Sequence, residues 1–162
     1  MTIDKALEKL QVMCSRAEYC EEMVRKKIRN WSATNLKNGE KGFDEQEIDS
    51  VVGKLVKDKY ICEERFVNAF IRDKARFQKW GEAKIVFNLK RLKINSGVIS
   101  EGIKKNVEVF GDEVLIALIN KKLLLLKEDC TANVKRDKVI RFCVGRGFPI
   151  SKVIRVIDSM EI

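Results

Sequence analysis

The stretch from Lys84 to Ile103, Lys-Ile-Val-Phe-Asn-Leu-Lys-Arg-Leu-Lys-Ile-Asn-Ser-Gly-Val-Ile-Ser-Glu-Gly-Ile, decides the fold. The four-residue steps from Ile85 to Leu89 and from Ile99 to Ile103 each place apolar side chains on one helical face, and Ile94 lies at the break between them. The pattern predicts two helices joined by a tight connection. Adding 54 to Ile85, Leu89, Ile94, Ile99 and Ile103 gives Val139, Cys143, Phe148, Val153 and Ile157, all apolar or thiol-bearing, and Lys84 maps onto Lys138. Subtracting 51 from the last three gives Phe43, Ile48 and Val52, and subtracting 61 from Ile85, Leu89 and Leu92 gives Val24, Ile28 and Trp31. The unit is therefore written three times, and agreement across two helices and their connection argues against chance periodicity.

The offsets differ by ten residues because the first unit carries an insertion at residues 32–42, a polar, glycine-bearing stretch that reads as a mobile surface loop. Helix-start chemistry follows each connection. Asp44 with Glu47 has the form of a capping box, Asn95-Ser96 offers capping side chains, and Pro149 suits a first helical turn. A further helix precedes each pair: Asp4 to about Ala17, Glu63 to about Phe77, and Asp112 to about Leu126. The expected fold is all-α, with three tandem three-helix repeats over residues 1–57, 58–108 and 109–162. Each short unit leaves apolar surface to bury, so the repeats are expected to stack into an elongated curved arc.

Composition agrees. Of the 162 residues, 45% are hydrophobic and 35% charged, with one proline, which suits charged helices around an apolar interior. The longest apolar run, Leu123 to Leu126, is too short to span a bilayer, and the N-terminus lacks the layout of a secretion signal. The five cysteines, Cys14, Cys20, Cys62, Cys130 and Cys143, are scattered and form no Cys-x-x-Cys pair, as expected of reduced thiols in a cytoplasmic protein. Cys143 occupies the core position of Leu89. Cys20 and Cys62 precede helices, where they fill cap positions; a helix dipole there could also lower a thiol pKa.

Catalytic chemistry finds little footing. The absence of histidine removes the usual base near neutral pH and the commonest metal ligand. Gly145-Arg146-Gly147 lacks the Gly-Lys-Ser/Thr ending of a phosphate loop. The acidic clusters at Glu21-Glu22, Glu45 to Asp49 and Glu63-Glu64 fall near helix starts, where they counter the dipole. The expectation is a non-enzyme with no cofactor and no metal.

The net charge of +9 favours a polyanionic partner, and the excess lies beyond residue 62. Basic residues recur on the second helix of each unit or just before it. They are Arg25, Lys26, Lys27 and Arg29; then Arg72, Lys74, Arg76, Lys79, Lys84, Lys90, Arg91 and Lys93; then Lys135, Arg136, Lys138, Arg141 and Arg146. Aligned along one surface, they would track a phosphate backbone or an acidic protein groove. Trp80 and Phe77 lie among those charges and could stack on exposed bases; Trp80 stands beside Gly81 at a helix break, whereas periodicity favours core packing for Phe77.

The run Tyr60-Ile61-Cys62-Glu63-Glu64-Arg65-Phe66, with Phe70, Lys79, Gly81, Lys84-Ile85 and Leu89, resembles the central segment of the bacterial RecX regulatory proteins. Ser15 to Glu22 leading to Lys27-Ile28 looks like that family's first repeat, and Arg146-Gly147-Phe148 with Ile150, Val153 and Ile154 like the end of its third. The resemblance implies a modular arc of three-helix repeats bound in the groove of the RecA filament on single-stranded DNA. It further implies restraint of recombination and coprotease activity, within DNA repair and the SOS response. Cys20 and Cys62 depart from the serine and aspartate or asparagine caps expected there, and the insertion at 32–42 is unusual. On this reading the partner is RecA, single-stranded DNA is a candidate direct contact, and a monomer is the simplest state. A stand-alone DNA-binding module built on helix-turn-helix-like pairs is the competing expectation.

Overall fold

The structure, a computed structural model, describes residues 1–126 and 131–160; Cys130 lies outside them. Among the described residues the chain forms nine α-helices and no strand. In order they are α1 (Ile3–Arg16), α2 (Glu21–Lys37), α3 (Glu45–Lys57), α4 (Glu63–Gln78), α5 (Glu82–Arg91), α6 (Ser96–Lys105), α7 (Asp112–Leu124), α8 (Ala132–Gly145) and α9 (Ile150–Ser159), with a short 3-10 helix at Val107–Phe110 before α7. No helix among the described residues is long and apolar enough to cross a membrane.

The chain divides into two compact units, Met1–Val67 with Leu92–Ile94, and Asn68–Arg91 with Asn95–Ile162. In the first, Leu10 and Cys14 of α1, Val24 and Ile28 of α2, and Ile48, Val51, Val52 and Leu55 of α3 form the core, with Trp31 and Phe43 packed on its edge. In the second, Leu115, Leu118 and Ile119 of α7 pack with Val139 and Cys143 of α8, Phe148, and Val153, Val156 and Ile157 of α9. Ile85, Leu89 and Ile99 are also buried. The buried side chains repeat at the helical steps read from the sequence.

Cap chemistry fixes the starts. The Asp44 carboxylate accepts from the Glu47 amide at 2.8 Å, and the Asp44 amide donates to the Glu47 carboxylate at 3.0 Å, closing a full capping box on α3. Asn95 Oδ1 accepts from the Gly97 amide at 2.8 Å to start α6. Pro149 stands at the N-cap of α9 rather than inside its first turn, so it shapes the entry with φ near −60° without being helical itself.

Two expectations are corrected here. The supposed loop at 32–42 is helical as far as Lys37, because polar side chains in its first half face inward and bind the returning chain. Ser32 and Asn35 are buried: the Ser32 hydroxyl accepts from the Phe43 amide at 2.7 Å, and the Asn35 amide donates to the carbonyls of Met1 at 2.8 Å and Lys41 at 3.2 Å. Phe77, expected in the core, is 80% exposed. The buried stripe of α4 runs Val67, Ile71, Ala75, and Phe77 lies two residues beyond it, on a different face.

In the second unit the turn from α4 to α5 meets the turn from α8 to α9 backbone to backbone. The Gly81 amide donates to the Arg146 carbonyl at 2.7 Å and the Ala83 amide to the Gly147 carbonyl at 3.2 Å. A methyl group on Gly81 would stand 2.4 Å from the Gly147 carbonyl carbon, and one on Gly147 2.5 Å from the Lys84 Cβ. Gly147 also has φ of +96°, so both positions need glycine.

Candidate basic interface

The basic side chains singled out by their recurrence have sharply different surroundings. In the first unit most of them face carboxylates. Arg25 on α2 reaches Asp49 on α3 at 2.6 Å, and Arg29 makes a bidentate pair with Glu45 at 3.2 and 3.0 Å. The guanidinium of Arg29, by hydrogen bond and charge, holds the Glu45 carboxyl below the usual carboxylate range. Lys27 lies over the Tyr19 ring at 5.8 Å, and Lys93 pairs with Glu22 at 3.0 Å. Lys26 alone of that set is exposed without a carboxylate, so this α2 face largely satisfies its own charge.

Several cations of the second unit are structural as well. Arg72 donates from Nε to Asn106 Oδ1 at 2.8 Å, while Asn106 Nδ2 donates to Asn68 Oδ1 at 2.7 Å and to the Gly102 carbonyl at 2.8 Å. Asn106 is fully buried and uses both ends of its amide. Arg136 pairs with Asp158 at 2.6 Å. Arg146 donates to the Gln78 carbonyl at 2.8 Å and lies 5.3 Å from the Phe142 ring centre, bracing the junction at Gly81 and Gly147. Lys138, in the third cluster, is exposed on α8.

What remains is a set without carboxylates. Among the described residues Arg76, Lys79, Lys84, Lys90, Arg91, Lys135 and Arg141 make no ion pair. Lys84 instead stands 4.8 Å above the Trp80 ring, and Lys74 5.1 Å from it; Phe70 meets the same indole edge-on at 6.4 Å. Arg91 lies 5.9 Å from the ring of Phe87, which is 62% exposed. Cations of this kind keep their full charge for a partner, whereas an internally paired cation must first give up its carboxylate.

Among the described residues three of the thiols are buried. Burial pushes the Cys20 thiol up and outweighs the backbone amides at the start of α2 that would lower it. Cys20 is the N-cap of α2 but makes no side-chain capping bond. Burial raises Cys14 too, and Cys143 to about 11. Among the described residues no three cysteine or acidic side chains converge closely enough to hold a metal ion.

Three features of the interface were not read from the sequence. Gly81 and Gly147 are visible as glycines, but their contact joins segments 66 residues apart and leaves no local sign. Asn106 follows two lysines and looks like a polar helix end. Phe87 lies two residues from both Ile85 and Leu89, hence off the buried face; that spacing was the available signal for its exposure.

Comparison with known proteins points one way. Residues 63–103 match the family profile described as RecX, second three-helix domain. The chain is 25% identical over 149 residues to Regulatory protein RecX of Clostridium botulinum, covering 87% of this chain and 69% of that protein. It is 26% identical over 140 residues to Regulatory protein RecX of Clostridium acetobutylicum, covering 85% of this chain and 64% of that protein. The fold is similar to the crystal structure of RecX from Lactobacillus salivarius, with TM-score 0.73, 17% identity, and 98% and 96% of the two chains covered. A second structure, of regulatory protein RecX, matches with TM-score 0.74 and 18% identity over 96% of this chain and 71% of that one.

Proposed function

We propose, from the similarity to RecX proteins, that the chain acts as one of them: it binds the RecA filament on single-stranded DNA and modulates, mainly by inhibition, its recombinase, ATPase and coprotease activities. It acts as a cytoplasmic monomer without a catalytic reaction of its own. Residues 1–57, 58–108 and 109–162 serve as its three repeats. The observation that carries this reading is the placement of Arg76, Lys79, Lys90 and Arg91, all without carboxylate partners among the described residues, inside the segment that matches the family's second three-helix domain. Lys135 and Arg141 add to the same charge from α8. Such cations attract a phosphate backbone or an acidic protein groove and raise the encounter rate with it.

The test is DNA-dependent ATP hydrolysis and strand exchange by a RecA partner, with this protein added at amounts too low to coat the DNA. Inhibition is expected. It should weaken on replacing Lys90, Arg91 and Arg141 with alanine, exposed residues whose loss leaves the cores intact. No effect on RecA, together with tight DNA binding by the protein alone, would instead mark a stand-alone DNA-binding module.

A further inference from the structure

The second unit carries a strip in which aromatic rings and cations alternate, and neither the core nor the ion pairs use its outer members. On α4, Phe70, Lys74 and Phe77 follow at steps of four and three, so they share a face. On α5, Lys84, Phe87 and Arg91 do the same at steps of three and four. Trp80 joins the two runs, with the Lys74 ammonium 5.1 Å and the Lys84 ammonium 4.8 Å from its ring centre.

Phe77 is 80% and Phe87 62% exposed, so most of each ring is open to a partner. The local charge says what would fit: residues 68–91 hold seven basic and two acidic residues, and among the described residues no carboxylate closes on Lys74, Lys84 or Arg91. An apolar protein surface would leave those charges unmatched. A strand with stackable faces and a phosphate at every step matches both sets of groups.

We propose that this strip is a stacking track for the unpaired bases of single-stranded DNA, with Phe77 and Phe87 as the platforms and Lys74, Lys84 and Arg91 as the phosphate contacts. The inference deepens the filament reading and rests on it for the class of partner. Stacking of this kind tolerates any sequence, because every base has a π-face. Paired bases offer no free face, so duplex DNA keeps only the phosphate contacts.

The test is equilibrium binding of the full chain to a labelled thymidine oligonucleotide and to an abasic oligonucleotide of equal length, beside the RecA ATPase assay. The thymidine strand should bind at least about tenfold tighter than the abasic one. The double variant F77A/F87A should remove that preference while leaving abasic affinity unchanged, and F77Y/F87Y should restore it. Both rings are exposed, so helix content by circular dichroism should match across the variants. Equal binding of the two strands by the unmodified protein overturns the proposal, and so does a thymidine preference that survives in F77A/F87A. Loss of RecA inhibition in F77A/F87A with no change in oligonucleotide binding also overturns it, since the strip would then dock on protein. A thymidine preference that depends on the two rings, with no effect on RecA, supports the track and removes only the filament reading.

Discussion

Asn106 is the residue on which the second unit's polar interior turns. Its amide accepts from Arg72 and donates to Asn68 and to the Gly102 carbonyl, so every one of these bonds is lost together when the amide goes. Asn106→Leu keeps the volume and removes all three bonds at a fully buried position. We expect a loss of about 1–3 kcal/mol in urea unfolding, the order of a few intramolecular hydrogen bonds lost together. A loss within a few tenths of a kcal/mol would mean that water takes over all three bonds. Arg72, a contact candidate by sequence, thus also braces the fold through its Nε.

At the scale of elements, the meeting of the α4–α5 turn with the α8–α9 turn is set by glycine rather than by side-chain packing. Gly81→Ala drives a methyl to 2.4 Å from backbone atoms, which cannot swing aside as a flexible side chain would. The expected result is a fall in thermal midpoint larger than that of Gly53→Ala, where a methyl meets nothing within 4 Å. Equal midpoints for the two would refute the close approach. The bidentate pair between Arg155 of α9 and Asp112 at the start of α7, at 2.9 Å for both bonds, gives a pH prediction. Arg155, then Lys152, hold the Asp112 carboxyl below its usual range. A depressed carboxylate stabilises the fold fully above its unfolded pKa of about 3.9 and loses that contribution as pH falls through the lower folded value. The stability difference between the unmodified protein and Arg155→Ala should therefore be constant near neutral pH and vanish in strong acid. A difference that persisted there would belong to packing.

For the whole molecule the question is where its charge is available. Arg25 and Arg29 are committed to Asp49 and Glu45, whereas Arg76, Lys90 and Arg141 meet no carboxylate among the described residues. Affinity for single-stranded DNA or its filament should fall with salt. Removing Arg141 or Lys90 should reduce the slope of log affinity against log salt by roughly 0.7–0.9 each, if each neutralises one phosphate. Arg29→Ala should barely change it and should instead loosen the α2–α3 pair. Equal slope changes for Arg29 and Arg141 would show that the ion pairs open on binding and that both units contact the polyanion.

Some of this was legible in the chain alone. Burial of Val139, Cys143, Phe148, Val153 and Ile157 follows the spacing copied from Ile85 to Ile103, because helical periodicity and apolar transfer are local and repeat wherever the pattern repeats. The Asp44–Glu47 capping box is equally local. The tertiary structure decided the rest. It turned Ser32 and Asn35 inward to extend α2 into the expected loop, brought Gly81 against Gly147, and exposed Phe77. Above all it separated the cations that sit beside carboxylates from those that do not. Sequence lists the charges, but partners such as Asp49 for Arg25 or Asp158 for Arg136 lie more than twenty residues away, and only the packing of helices brings them within hydrogen-bond distance.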